Sequence, residues 1–268
     1  MRIRISHQTT YRYEPPASGA IQSLRLTPRN HDGQYVLRWR IDVSPDALLT
    51  TREDAFGNIT HVFSAEGPLS EIDLNVEGEI ETQNTNGIVN GAAERFPPSL
   101  FLRETPMTQA DAAIIEFARE IHDSEADQPL DLLHALLRQL HDAMTFDVAM
   151  TNAPPNAAEA FALKRGVCRD FTHIFIAAAR SLGIPARYVV GYLRRADDVV
   201  TQDAGHAWAE AFVPDLGWVG FDAANGISPT DAHVRVSIGL DSLGAAPVRG
   251  ARYGLGAETM SVAVAVDQ

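Results

Sequence analysis

Gly166-Val167-Cys168-Arg169-Asp170-Phe171-Thr172-His173-Ile174-Phe175-Ile176-Ala177-Ala178-Ala179-Arg180-Ser181-Leu182-Gly183-Ile184-Pro185 is the stretch from which the rest of the chain is read. Phe171, Ile174, Phe175, Ala178, Ala179 and Leu182 recur at helical spacing, which predicts a helix buried in a core. Gly183-Ile184-Pro185 stops that helix, and Gly166 marks where it begins. Cys168 therefore opens it. At a helix N-terminus the unpaired N–H groups and the helix dipole favour a thiolate, and the same N–H groups can stabilise an oxyanion on an attacked carbonyl. A lone cysteine is ordinarily a buried small hydrophobe, so its surroundings must decide.

Downstream, the chain turns to strands. Arg187–Leu193 is the first. Gly205-His206-Ala207-Trp208-Ala209-Glu210-Ala211-Phe212-Val213 alternates small against large. His206, Trp208, Glu210 and Phe212 share one face; the alanines and Val213 share the other, which predicts close packing against a helix. Pro214-Asp215-Leu216-Gly217 is a turn, followed by Gly217-Trp218-Val219-Gly220-Phe221-Asp222. Cysteine, histidine and aspartate in this order match a thiol acyl-transfer triad. In it Cys168 is the nucleophile, His206 takes its proton, and Asp222 fixes the imidazole tautomer and stabilises the imidazolium.

The triad places a condition on the hairpin. In an antiparallel pair, directly opposed residues share a face. A four-residue loop, Pro214–Gly217, would pair Val213 with Trp218 and put Asp222 on the face away from His206. A register that opposes Phe212 to Trp218, or a β-bulge before the turn, puts Asp222 opposite Trp208 with His206 as its diagonal neighbour. The sequence thus predicts one of these two. Each residue also has a plainer reading: Asp222 as a turn residue before Ala223-Ala224-Asn225-Gly226, and Glu210 as the partner of an arginine. His206 and Glu210 as metal ligands would need a helix, so no metal is expected, and no cofactor. No phosphate-binding glycine loop is present.

Upstream of the quoted stretch the pattern is helical. Thr108-Gln109-Ala110-Asp111 resembles a capping box opening a helix with Ile114, Ile115, Phe117, Ala118 and Ile121 on one face. Leu130, Leu133, Leu136, Leu137, Leu140 and Met144 predict a second helix. Pro154-Pro155-Asn156 breaks the chain, and Asn156 with Glu159 caps a short third helix over 157–164. Residues 83–99, with Asn-Gly turns and Pro97-Pro98, read as a linker.

Before the linker every segment reads as a strand: Arg2–His7, Thr10–Tyr13 ending at Pro15-Pro16, Ser23–Leu26, Tyr35–Val43, Phe56–Phe63 and Ile72–Ile80. Val234–Ile238 and Met260–Val266 close the chain as strands. The expected fold class is α+β. An N-terminal antiparallel β-sandwich-like domain over 1–90 precedes a core over 100–268, of helices packed on an antiparallel sheet with C-terminal strands.

Composition narrows the function. The chain has 268 residues, 45% hydrophobic and 21% charged, ordinary for a globular protein. Lysine plus arginine is 22 against 35 acidic residues, a net charge of −13, so nucleic acid is a poor partner. No apolar run approaches the ~20 residues that span a bilayer, and no membrane partner is expected. Met1-Arg2-Ile3-Arg4-Ile5-Ser6-His7 alternates like a strand and lacks the apolar centre of a signal peptide, so the expected location is cytoplasmic. Cys168 is the single cysteine, which excludes an internal disulfide and a four-cysteine zinc site. Lys164 is the single lysine, so the chain has almost no side-chain amines of its own to serve as acyl acceptors.

Four blocks together resemble the transglutaminase-like core of bacterial proteins. They are Gly166-Val167-Cys168-Arg169-Asp170-Phe171, Ser181–Val189, His206-Ala207-Trp208-Ala209-Glu210 and Gly217-Trp218-Val219-Gly220-Phe221-Asp222. The β-rich segment 1–85 is similar to the N-terminal domain that bacterial transglutaminase-like proteins carry, so the resemblance spans essentially the whole chain. It implies a papain-like core with Cys168, His206 and Asp222 as the catalytic triad. It also implies a thiol-dependent enzyme acting on an amide bond of a peptide or protein, as a peptidase, an amidase or a transglutaminase-type acyltransferase. The alternative is a non-catalytic protein-interaction module on the same scaffold. An ATP-grasp-type ligase partner is implied by the family alone. The chain departs from animal transglutaminases where they have a tryptophan directly after the nucleophile: here Arg169 and Asp170 follow Cys168. It has Phe146 and no tryptophan in the region before Cys168, which leaves the second oxyanion donor unassigned.

Overall fold

The computed structural model of the chain describes residues 1–125, 128–149, 156–197 and 199–268. Among the described residues two antiparallel sheets carry the fold, an α+β arrangement in which a group of four helices lies on one side of the second sheet, with α4 directly against it. The chain opens with β1 (Arg2–Thr27), β2 (Gln34–Ser44), β3 (Thr50–Glu53), β4 (Ile59–Thr82) and β5 (Ile88–Val89). A 3-10 turn (Pro98–Leu102), α1 (Ala112–Glu125), α2 (Pro129–Ala143), β6 (Thr145–Phe146), α3 (Ala157–Leu163), β7 (Arg165–Gly166) and α4 (Cys168–Ser181) follow. Strands then return as β8 (Ala186–Leu193), β9 (Thr201–Gln202), β10 (His206–Val213), β11 (Gly217–Phe221), β12 (His233–Gly239), β13 (Val248–Tyr253) and β14 (Ala257–Asp267).

The first sheet is built on the long β1–β4 ribbon, and here the structure corrects the reading of separate short strands. Pro15-Pro16 lies inside β1 rather than ending it. The ladder with β4 runs Arg2–Arg12 and resumes at Ala17, so the prolines occupy a break where no N–H is called for. Residues from both halves of the ribbon, among them Tyr11, Leu24, Phe63 and Leu74, bury one shared cluster, so the ribbon bends as a sandwich does. The other edge of β1 is taken by β14 and β13. The sequence reading grouped these C-terminal strands with the core. They pair with β1 instead, because a strand of 26 residues presents a long edge of N–H and C=O groups that needs a partner.

The second sheet has the order β12-β8-β10-β11-β5. Its alanine face (Ala207, Ala209, Ala211) is buried against α4 in the main core, with Phe171, Ile174, Phe175, Ala178 and Ala179 as expected from the periodicity. Phe175 stacks on Phe221 at 5.1 Å between centroids. The opposite face buries Trp208, Trp218, Val189 and Ile238 against Phe101. A third cluster joins the sheets, with Ile3, Ile5, Ile80, Val264 and Val266 on one side and Tyr192, Val234 and Val236 on the other.

The helix starts follow local chemistry. Asn156 and Glu159 form the capping box predicted for α3. For α1 the predicted box does not form: the Asp111 carboxylate accepts the Ile114 N–H at 2.9 Å and caps the helix. Thr108 is buried, and its hydroxyl accepts from Arg180 at 2.7 Å. Thr108 is thus engaged by Arg180, and Asp111 caps the helix in its place. Pro154-Pro155 lies outside the described residues.

Candidate active site

Cys168 is the first residue of α4, one step after the extended N-cap residue Val167. Asp170, fully buried, accepts the Val167 N–H at 2.9 Å and the Arg169 Nε–H at 3.1 Å. Gly166 makes this possible, since a Cβ there would sit 2.7 Å from the Asp170 Cβ. The first-turn N–H groups of a helix have no partner within it, so those at Cys168 remain available to an incoming oxygen.

β10 begins at His206, and its hairpin with β11 pairs Phe212 with Trp218 and Ala209 with Phe221. This is the register the triad requires. Asp215 and Gly217 take left-handed conformations, at φ 67° and 84°, and close a three-residue loop that sets the pairing. Asp222 consequently emerges on the His206 face, and His206 Nε2 lies 2.7 Å from its Oδ2. The ring nitrogen left for a thiol is Nδ1, and Cys168 lies near enough to this imidazole to raise its pKa.

Electrostatics follow from that geometry. Burial opposes an imidazolium at His206, but the Asp222 carboxylate and then Cys168 hold its pKa up at about 10. Burial pushes the Asp222 carboxyl up, yet His206 and His233 hold it far below the usual carboxylate range. An imidazole so placed can take up the proton of a neighbouring thiol and hold it, the arrangement that activates a cysteine.

Three neighbours were not singled out from the sequence. His233, at the start of β12, lies 3.1 Å from Asp222 Oδ2 through its Nε2. Asn225 donates its amide to the same oxygen at 2.7 Å. Tyr188, wholly buried on β8, has its hydroxyl pKa raised by burial and then by the neighbouring Cys168. None of these carried a usable signal, because each reaches the site from a strand or turn whose place in the sheet is settled by pairing. Phe146 packs 6.4 Å from Phe171, with β6 paired to β7 beside the Cys168 turn, and its side chain offers no donor.

Glu210 lies apart from His206 and Asp222. Its carboxylate accepts from Arg187 at 2.6 Å and from Arg235 at 2.7 Å. Burial pushes its carboxyl up, but the two guanidiniums hold it well below the ordinary value. Arg187 also bonds Glu94 and stacks on Trp218 at 3.8 Å. His206, Asp222 and His233 gather enough ligand atoms for a cation to be considered. The Thr230 N–H donates to His233 Nδ1, which leaves the ring proton on Nε2, the atom a cation would need.

Residues 3–81 match the bacterial transglutaminase-like N-terminal region, and residues 115–223 match the transglutaminase-like superfamily. An uncharacterized protein of Mycobacterium leprae is 28% identical over 99% of this chain and 98% of its own length. A protein-glutamine gamma-glutamyltransferase of Pseudomonas aeruginosa is 31% identical, over 46% of this chain and 19% of that protein. Among solved structures, a candidate cysteine protease from Cytophaga hutchinsonii superposes with a TM-score of 0.78 at 21% identity, covering 99% of this chain and 90% of that one.

Proposed function

The chain belongs to the transglutaminase-like superfamily and carries its bacterial N-terminal region, and from that premise we propose a thiol-dependent acyl-transfer enzyme acting on an amide bond of a peptide or protein. The observation that carries this reading is the 2.7 Å contact of His206 with Asp222, with Cys168 at the first position of α4 near enough to the imidazole to raise its pKa. His206 takes the thiol proton, and Cys168 Sγ attacks the amide carbonyl carbon. The first-turn N–H of α4 faces the oxygen that becomes negative. The imidazolium then gives its proton to the leaving amine, the C–N bond breaks, and a thioester remains on Cys168. Water, deprotonated by His206, attacks the thioester and releases the acid and the thiol, which is peptidase or amidase chemistry. An amine in place of water gives a new amide, and the glutamyltransferase relative of Pseudomonas aeruginosa supports this second outcome.

The test is trapping. The wild-type protein is incubated with peptide pools, with and without an added primary amine, and Cys168 is examined by mass spectrometry. Acyl adducts on Cys168 that are absent in Cys168→Ala support the reading, and the released product distinguishes acid from amide. A protein that forms no adduct, and whose cysteine reacts only after denaturation, is a non-catalytic interaction module.

A further inference from the structure

We propose that His233 is a positioning residue for this chemistry, holding the Asp222 carboxylate in line with His206 through a hydrogen bond whose direction is set by the backbone. The proposal rests on the triad reading above.

The geometry is closed at both ends of the ring. Thr230 N–H donates to His233 Nδ1 at 3.1 Å. A nitrogen that accepts a hydrogen bond carries no proton, so the proton is on Nε2, which lies 3.1 Å from Asp222 Oδ2. That oxygen is the one His206 engages. Asp222 is fully buried and the His233 side chain is 2% exposed, so water does not compete for either group. Two imidazole N–H groups and the Asn225 amide converge on one carboxylate oxygen, which fixes the rotation of the carboxylate.

The ring itself is held in place. It meets Trp208 in a T-shaped contact, 5.3 Å between centroids. Trp208 lies over Gly191, where a Cβ would stand 2.6 Å from its ring, so the gap in β8 is what lets the indole support the imidazole. The charged groups around the ring are accounted for: His206 on β10 and Asp222 after β11 face it, while Arg235 on its own strand is held by Glu210. β12 is in turn clasped from the N-terminal sheet, where the Gln34 amide bonds both the N–H and the C=O of Arg235 at 2.8 and 2.9 Å. The N-terminal region thereby bears on the site through this strand.

The test uses Cys168 alkylation by iodoacetamide, followed from pH 5 to pH 10.5 in the wild type, His206→Ala, His233→Gln and His233→Phe. The alkaline step of the profile reports loss of the His206 proton. Gln keeps an N–H for Asp222 and leaves this step in place; Phe keeps the bulk without the donor and moves it down by about one unit. A merely structural residue would change thermal stability in both variants and leave the step unmoved. If His206→Ala loses the step but His233→Phe matches the wild type, the positioning role is overturned and the triad stands. If His206→Ala and the wild type give the same profile, the triad reading itself falls, and this proposal with it. Should His233→Phe fail to fold, 15N spectra of the wild type decide, with the His233 signals identified by their loss in His233→Gln. A proton on Nε2 between pH 6 and pH 8 supports the proposal, and a proton on Nδ1 overturns it.

Discussion

Phe212 stands directly opposite Trp218 across the β10–β11 hairpin, and this pairing puts Asp222 on the side of the sheet from which His206 projects. A slip of one residue would turn every β11 side chain to the other face, moving Trp218 from the aromatic cluster to the helix side and Asp222 away from the imidazole. The register depends on the left-handed turn at Asp215 and Gly217.

Gly217→Ala is therefore expected to cost about 1–2 kcal/mol. Nothing lies within 4 Å of the added methyl, so the cost is conformational and not steric. Urea denaturation measures it. A neutral substitution would show that the turn does not depend on the left-handed residue.

Cys168 is expected to be alkylated rapidly by iodoacetamide at neutral pH in the folded protein, and several-fold more slowly in His206→Ala. The measurement is the second-order rate constant with the fold checked by circular dichroism. Equal rates in the two proteins would mean that the imidazole does not act on the thiol.

Loss of Asp222, the proposed third member, should be costly to chemistry and mild to folding. Asp222→Ala is expected to lower the rate of thioester formation roughly a thousandfold or more. Glu210→Gln should act in the opposite sense, leaving His206 in place but breaking a buried ion triad, at about 3–5 kcal/mol of stability. Reversal of this ranking in paired kinetic and denaturation experiments would reassign the acid to Glu210.

Stability should carry the signature of the His206–Asp222 pair. The His206 pKa is raised from 6.5 to about 10, so its contribution is complete below pH 6.5 and is lost as the pH climbs towards 10. The Asp222 pKa is lowered from 3.8, so its contribution is complete above that value and is lost in more acidic solution. The pair thus contributes fully between about pH 4 and pH 6.5. In Asp222→Asn the alkaline decline in Tm between pH 6.5 and pH 10 should flatten. A decline of unchanged slope would place the raised pKa elsewhere.

The two modules are proposed to meet within residues 83–106, and limited proteolysis should cut there first. The exposed stretch around Gly91 and Ala93–Arg95 is the expected site, since Ile88–Val89 is protected by pairing with β11. First cleavage inside 110–180 would show that the boundary is misplaced.

What the sequence determined by itself was whatever depends on neighbours along the chain. The α4 stripe from Phe171 to Leu182, the glycine and proline that stop it, the Asn156–Glu159 cap and the alternation of β10 are local patterns, and all appear where the sequence puts them. Cys168 at the helix start follows from the same local reading. The Phe212–Trp218 register was reachable too, because Cys168, His206 and Asp222 left only an even pairing or a bulge. The tertiary structure alone decided which distant groups meet. Alternation marks Met260–Val266 as a strand but does not name β1 as its partner. Arg180 donates to the Thr108 hydroxyl and to the carbonyls of Phe101, Ala186 and Leu240, and so draws Thr108 away from the cap of α1. His233 reads as one more strand residue until β12 is set beside β8, and only then does it stand 3.1 Å from Asp222. Burial in a shared core and the pairing of strand edges act between segments far apart in the chain, so periodicity within a segment carries no record of them.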